Sequence, residues 1–178
     1  ISLLLRIVVS VACTNLATSA EQDEMSQWNN VLQQINSLLR ENKARQTLYL
    51  AKQTLPEILE SAEKNGTTDT LIYYARKICN ACGNNYINTK QYTDGIDYMD
   101  SIGHHPLIRE HCPHELLSFQ AGLNQLYGNN PQADRLAEDC LPLPVCPIAH
   151  DFITPAQIIS GVYMYSGNHL TKHIPILE

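Results

Sequence analysis

The chain has 178 residues, 44% of them hydrophobic and 17% charged, which is material for one sizeable buried core without a second domain. Its 12 Lys and Arg against 18 Asp and Glu give a formal charge of -6. No run of basic residues occurs, which argues against a nucleic-acid partner and for an acidic, well-solvated surface.

Residues Ile1 to Ala12 are apolar except for Arg6 and Ser10, and small polar residues follow until Glu21. A run this short falls below the roughly 20 residues that span a bilayer, and it reads as a secretory signal over residues 1–20. Thr18-Ser19-Ala20 sets small residues where a signal peptidase checks for them, so cleavage after Ala20 is one reading. Ser10-Val11-Ala12-Cys13 resembles the lipobox of bacterial lipoproteins and supplies another, in which Cys13 is acylated and tethers the chain to a membrane. Both readings export the folded domain, residues 21–178, to the periplasm or another extracytoplasmic compartment.

The apolar residues Trp28, Val31, Leu32, Ile35, Leu38 and Leu39 fall on one stripe at helical spacing, which predicts a helix from about Ser26 to Glu41. Leu48, Ala51, Leu55, Ile58, Leu59 and Ala62 repeat the stripe until Lys64-Asn65-Gly66 stops it. Pro56 stands inside this second helix and should kink it or mark its first turn. Thr68 or Asp69 can cap a third segment, where Leu71, Ala75, Ile78, Cys79, Cys82 and Tyr86 share a face. After a turn at Asn88-Thr89-Lys90, a shorter stripe of Tyr92, Ile96, Met99 and Ile102 is closed by Gly103 and Pro106.

The same unit then returns. His114 to Tyr127 carries Leu116, Leu117, Leu123 and Leu126, Gly128-Asn129-Asn130 turns the chain, and Ala133, Leu136, Ala137 and Cys140 start back. The prolines between Leu141 and Pro147 exclude helix there. Thr154-Pro155 opens a last segment through Ile158, Ile159, Val162 and Tyr163, which turns at Gly167-Asn168. It runs to Glu178 in what reads as mid-helix, so the chain is expected to be a piece truncated at its carboxyl end. The turns at Lys90, Gly128 and Gly167 lie 38 and 39 residues apart, the interval pattern of stacked helix pairs. No period-two alternation competes with it, and the fold class is all-α.

Cys79 and Cys82, three apart on a helix, could begin a redox or zinc site. Both fall on the apolar stripe, where cysteine is a small buried hydrophobe. Zinc would need two further ligands, and His104, His105, Cys112 and His114 meet no standard ligand spacing. His111-Cys112-Pro113-His114-Glu115 gathers a thiol, two imidazoles and a carboxylate, yet Pro113, His114 and Glu115 also make a sensible first helical turn. Cys140 and Cys146 flank the proline-rich loop and could close it with a disulfide in an exported protein. No glycine-rich phosphate loop, His-Glu-x-x-His or serine-elbow motif is present, so no catalytic residue, metal or cofactor is expected.

Cys79, Cys82, Gly83, Tyr86, Lys90, Tyr92, Gly95, Met99 and Ile102 together resemble the tetratricopeptide repeat (TPR), with small residues and aromatics where that repeat wants them. The next copy keeps Leu117, Ala121, Gly128, Ala133, Ala137 and Cys140 but has Gln120 and Asn124 at apolar or aromatic positions. The last keeps Ile159, Ser160, Tyr163 and Gly167 but has Lys172 where a small residue is usual. The resemblance covers roughly Asp69 to Glu178. It implies a right-handed superhelical solenoid of antiparallel helix pairs, with the first helix of each pair lining a concave face. On that face it would place Lys77, Asn80, Asn84 and Asn88, then Ser118 and Gln125, then Gln157, Met164 and Tyr165.

Side-chain amides can bond an extended peptide's backbone, so the implied role is non-catalytic protein or peptide binding. A signal followed by long, divergent repeats is similar to the exported sensory region of Bacteroidetes-type signalling proteins. That similarity implies a membrane helix and a histidine kinase or DNA-binding output beyond Glu178. The alternatives are a lipid-anchored assembly scaffold built on Cys13 and a Cys/His metal-dependent module.

Overall fold

The computed structural model describes residues 25–143 and 155–166, and every regular element among them is a helix. They are α1 (25–40), α2 (Ala44–Asn65), α3 (Asp69–Asn88), α4 (Tyr92–Gly103), α5 (Pro106–His111), α6 (Pro113–Tyr127), α7 (Asn130–Cys140) and α8 (Pro155–Ser166). The chain divides into two compact units, Ile1–Gln34 and Ile35–Glu178. In the first, the described residues 25–34 are helical and Trp28 is buried. The second carries the rest of α1 and all the other helices. The expected signal over residues 1–20, Cys13 and Cys146 lie outside the described residues. No described helix is long and apolar enough to cross a membrane.

The helix ends follow from local chemistry. Thr68 is extended and its hydroxyl accepts a hydrogen bond from Leu71 N at 3.2 Å, capping α3 as expected. Three turns then close in the same way. After α1, Lys43 N donates to Leu38 O and Asn42 N to Leu39 O, and after α3, Gln91 N donates to Tyr86 O and Lys90 N to Ile87 O. After α6, Asn129 N donates to Asn124 O and Gly128 N to Gln125 O. Each pair of bonds needs one left-handed residue, and these are Asn42 (φ 56), Lys90 (φ 59) and Gly128 (φ 99). Lys90 is the costly member, because its Cβ crowds the following carbonyl in that conformation.

Two features depart from the sequence reading. Pro106 does not merely close α4. It stands at the first position of the short helix α5, where its missing N–H costs nothing, while His105 Nδ1 accepts from Leu107 N at 3.2 Å and Leu107 and Ile108 are buried. Pro56 marks no first turn: α2 runs unbroken through it from Ala44 to Asn65. The Lys52 carbonyl loses the helical bond that Pro56 cannot donate.

α6 is the hub, packing on α3, α4 and α5 on one side of the sequence and on α7 and α8 on the other. α2 packs on α3, and α3 on α4. Ala121, Ala133, Ala137, Cys140, Ile159 and Val162 form a buried cluster, with Leu117, Leu136 and Leu143 packed against it. Close helix approach depends on two glycines. A Cβ on Gly83 would stand 2.2 Å from Cγ of the buried Phe119 ring, and one on Gly122 would stand 2.6 Å from Ile158 Cγ2. Leu126, counted with the apolar stripe in sequence, is 46% exposed at the end of α6.

Candidate functional site

The nine residues expected on a concave face separate by accessibility. Asn80 and Asn84 are 2% and 3% exposed, Ser118 is fully buried and Lys77 is buried with them. Their polar atoms are engaged nearby. Asn84 Nδ2 donates to the backbone and side-chain oxygens of Asn80 one turn earlier, and Ser118 Oγ donates to Glu115 O at 3.0 Å. The Lys77 ammonium stands 5.7 Å from the Tyr73 ring centroid. Amides that sequence spacing turned toward solvent are therefore held inside the helix packing, since α3 is covered on nearly every side from Tyr74 to Tyr86. Asn88 and Gln157 are exposed and Gln125 is half-buried. Met164 and Tyr165 belong to α8 beyond its described side chains.

Asn88 opens onto a cavity of about 460 Å3 between the α1–α2 turn and the α3–α4 turn. Lys43, Arg45 and Lys90 line it, and no carboxylate does. The Lys43 ammonium is drawn to Glu41, 2.6 Å away, but both side chains are about half exposed and water screens the pair. The first turn of α2 carries no acidic residue, so the positive end of that 22-residue helix adds to the local field. On a chain of net charge -6, this is a patch of the opposite sign.

A second cluster lies where α3, α6 and α7 meet. Cys79, Cys82, Cys112 and Cys140 are all buried, and none of the four is in a disulfide. Burial pushes the Cys79 thiol well above its ordinary range and those of Cys82 and Cys140 up to about 12, so all three stay protonated at neutral pH. Cys82 Sγ donates to Tyr98 OH and Cys140 Sγ to His114 O, each at 3.7 Å. Among the described residues no three His, Cys, Asp or Glu side chains converge as a metal site would require. Nearby, the Lys52 ammonium stands over the Tyr86 and Tyr98 rings at 5.6 and 5.2 Å, a contact that ties α2 to the α3–α4 pair.

Glu115 is the member of this region that sequence reasoning placed wrongly. It does sit in the first turn of α6, but its side chain is 0% exposed and neither carboxyl oxygen has a hydrogen-bond partner. Burial pushes its carboxyl above the ordinary glutamate range, against the pull of Arg76. Its neighbour His114 is also buried, with Nδ1 unpartnered, and burial together with Arg76 holds the imidazole below its usual range. The signal was present in the spacing: Glu115, Ser118, Phe119 and Gly122 fall on one helical face, the same face that carries the glycine contacts. No family model matches the chain, and neither does any curated protein or solved structure.

Proposed function

We propose that this chain is a non-catalytic protein- or peptide-binding module of the tetratricopeptide type, a right-handed solenoid of helix pairs. One observation carries the repeat reading. Gly83 of α3 meets Phe119 of α6, and Gly122 of α6 meets Ile158 of α8, so that both partners of the second contact lie 39 residues after those of the first. The Lys90 and Gly128 turns, closed by the same pair of hydrogen bonds, lie 38 residues apart. An interval shared by a helix contact and a turn is what stacking one structural unit on the next produces.

The partner is an extended segment carrying acidic residues. Asn88, Gln125 and Gln157, on three successive first helices, remain accessible to its backbone, and Lys43, Arg45 and Lys90 beside Asn88 favour negative charge. The apolar amino-terminal run and the resemblance to exported sensory regions extend the proposal to an extracytoplasmic sensor within a longer signalling protein. Occupancy would then stiffen the stack and bias the output region of that protein.

Selection of displayed random peptides against the purified chain tests the binding role. Enriched peptides should be acidic, and the triple variant N88A/Q125A/Q157A should bind them at least tenfold more weakly with an unchanged melting temperature. Failure to enrich any peptide sinks the peptide-binding reading, and unchanged affinity in the triple variant sinks this face.

A further inference from the structure

Glu115 is the least comfortable group in the described structure. Its carboxyl is wholly buried, both oxygens lack a hydrogen-bond partner, and the nearest opposite charge, Arg76 Nε, is 4.0 Å away. That Nε already donates to the His111 carbonyl at 2.7 Å, so the guanidinium is anchored to the end of α5 and attends the carboxylate only at a distance. An ionised carboxylate so placed is heavily penalised, and it has two ways to avoid the penalty: to keep its proton, or to leave the interior.

The position of Glu115 decides what leaving would move. It is the third residue of α6, one turn before Phe119, whose ring lies against Gly83. Carrying its carboxyl to water means lifting the first turn of α6 from α3, at the polar end of the seam that the glycine contact fastens. We propose that Glu115 is a proton-operated latch: with the carboxyl protonated, the first turn of α6 stays seated on α3, and loss of that proton releases it.

The groups around Glu115 leave it as the element that answers to rising pH. From α3 it is faced by Arg76 and Cys79, and from α7 by Cys140. Cys112 and His114 flank it at the start of α6. Burial keeps the Cys79 and Cys140 thiols neutral, and Arg76 keeps its charge at any physiological pH. The α4 carboxylate of Asp100 is taken up by Gln120, more than a turn along α6, and Arg109 and Glu110 pair on the exposed side of α5. The described side chains of α8, Gln157 to Val162, include no ionisable group.

His114 works in the opposite sense. A folded-state value below the ordinary one means that its contribution is present above the usual histidine range and lost as pH falls. Glu115, with a raised value, contributes most at low pH, and that contribution is lost as pH rises through its folded range. The two neighbours therefore oppose each other in mildly acidic solution, and only a comparison that changes Glu115 alone isolates the latch.

The latch does not depend on what the module binds, and its test needs no partner. Glu115→Gln keeps the shape and removes the charge. At pH 8 the variant should melt about 4 °C above the unaltered chain, and the difference should vanish towards pH 4, where both side chains are neutral. Amide exchange protection of residues 114–118 should decline with rising pH in the unaltered chain and stay level in E115Q. A variant that melts lower at pH 8, or that shows the same pH slope as the unaltered chain, overturns the proposal. Should E115Q fail to fold, the carboxyl 13C titration of Glu115 in the unaltered chain decides: a midpoint above the ordinary glutamate range sustains the latch, and one at or below it refutes it.

Discussion

The seam between α3 and α6 and the cluster formed by α6, α7 and α8 use the same device on different chemistry. In both, a glycine on one helix admits a large side chain from the next, Phe119 at Gly83 and Ile158 at Gly122. Around Gly122 the buried residues are mostly small or aliphatic, with Ala121, Ala133, Ala137, Ile159 and Val162 packed around Cys140. Around Gly83 they include Asn80, Asn84, Asn85 and Glu115, besides Cys79 and Cys82. The first region is held by volume alone and should be indifferent to pH. The second buries polar groups that must be satisfied or neutralised, and Glu115 and the Asn85 Oδ1 atom are not satisfied. One fold can therefore repeat a contact geometry while confining proton sensitivity to a single seam.

The comparison can be broken at its two glycines. Gly83→Ala should cost about 2 kcal/mol, because the added methyl meets three atoms of a buried ring that has no room to turn, and the gain in helix propensity offsets only part of that. Gly122→Ala should cost about half as much, since only one atom of Ile158 lies closer than 3.8 Å. Urea denaturation of the two variants measures both. Adding Phe119→Leu should recover part of the loss in the Gly83 variant and none in the Gly122 variant, and equal recovery would mean that the two contacts are not separate. A smaller effect sharpens the comparison of turns. Lys90→Gly should stabilise the chain by about 1 kcal/mol, since the turn already requires a left-handed residue there, and a loss on denaturation would place the strain elsewhere.

Much of the architecture was legible in the sequence because helical spacing reports directly on burial. The stripes Leu48, Ala51, Leu55 and Ile58 and Leu71, Ala75, Ile78 and Cys79 are buried as their periodicity predicts, and the α3 cap at Thr68 follows from its chemistry. Accessibility of polar side chains was less legible. Asn80 and Asn84 alternate with the apolar stripe of α3 as solvent-facing residues would, but α3 is packed round most of its circumference, and one helix's pattern does not reveal how many neighbours it has. Glu115 was misplaced for the same reason. A carboxylate in a first turn satisfies the helix end locally, and only the arrival of α3 and α7 takes it out of water. The short helix α5 was missed because Pro106 serves as a stop in one reading and as a first residue in the other.

The central claim is that one helix contact recurs at a fixed interval along the chain. NOESY spectra of the isotope-labelled protein test it most directly, through cross-peaks from the Gly83 Hα protons to the Phe119 ring and from the Gly122 Hα protons to the Ile158 methyls. The repeat account predicts both sets, of comparable strength. Observation of either set without the other, or of Phe119 and Ile158 contacting different helices, would contradict it.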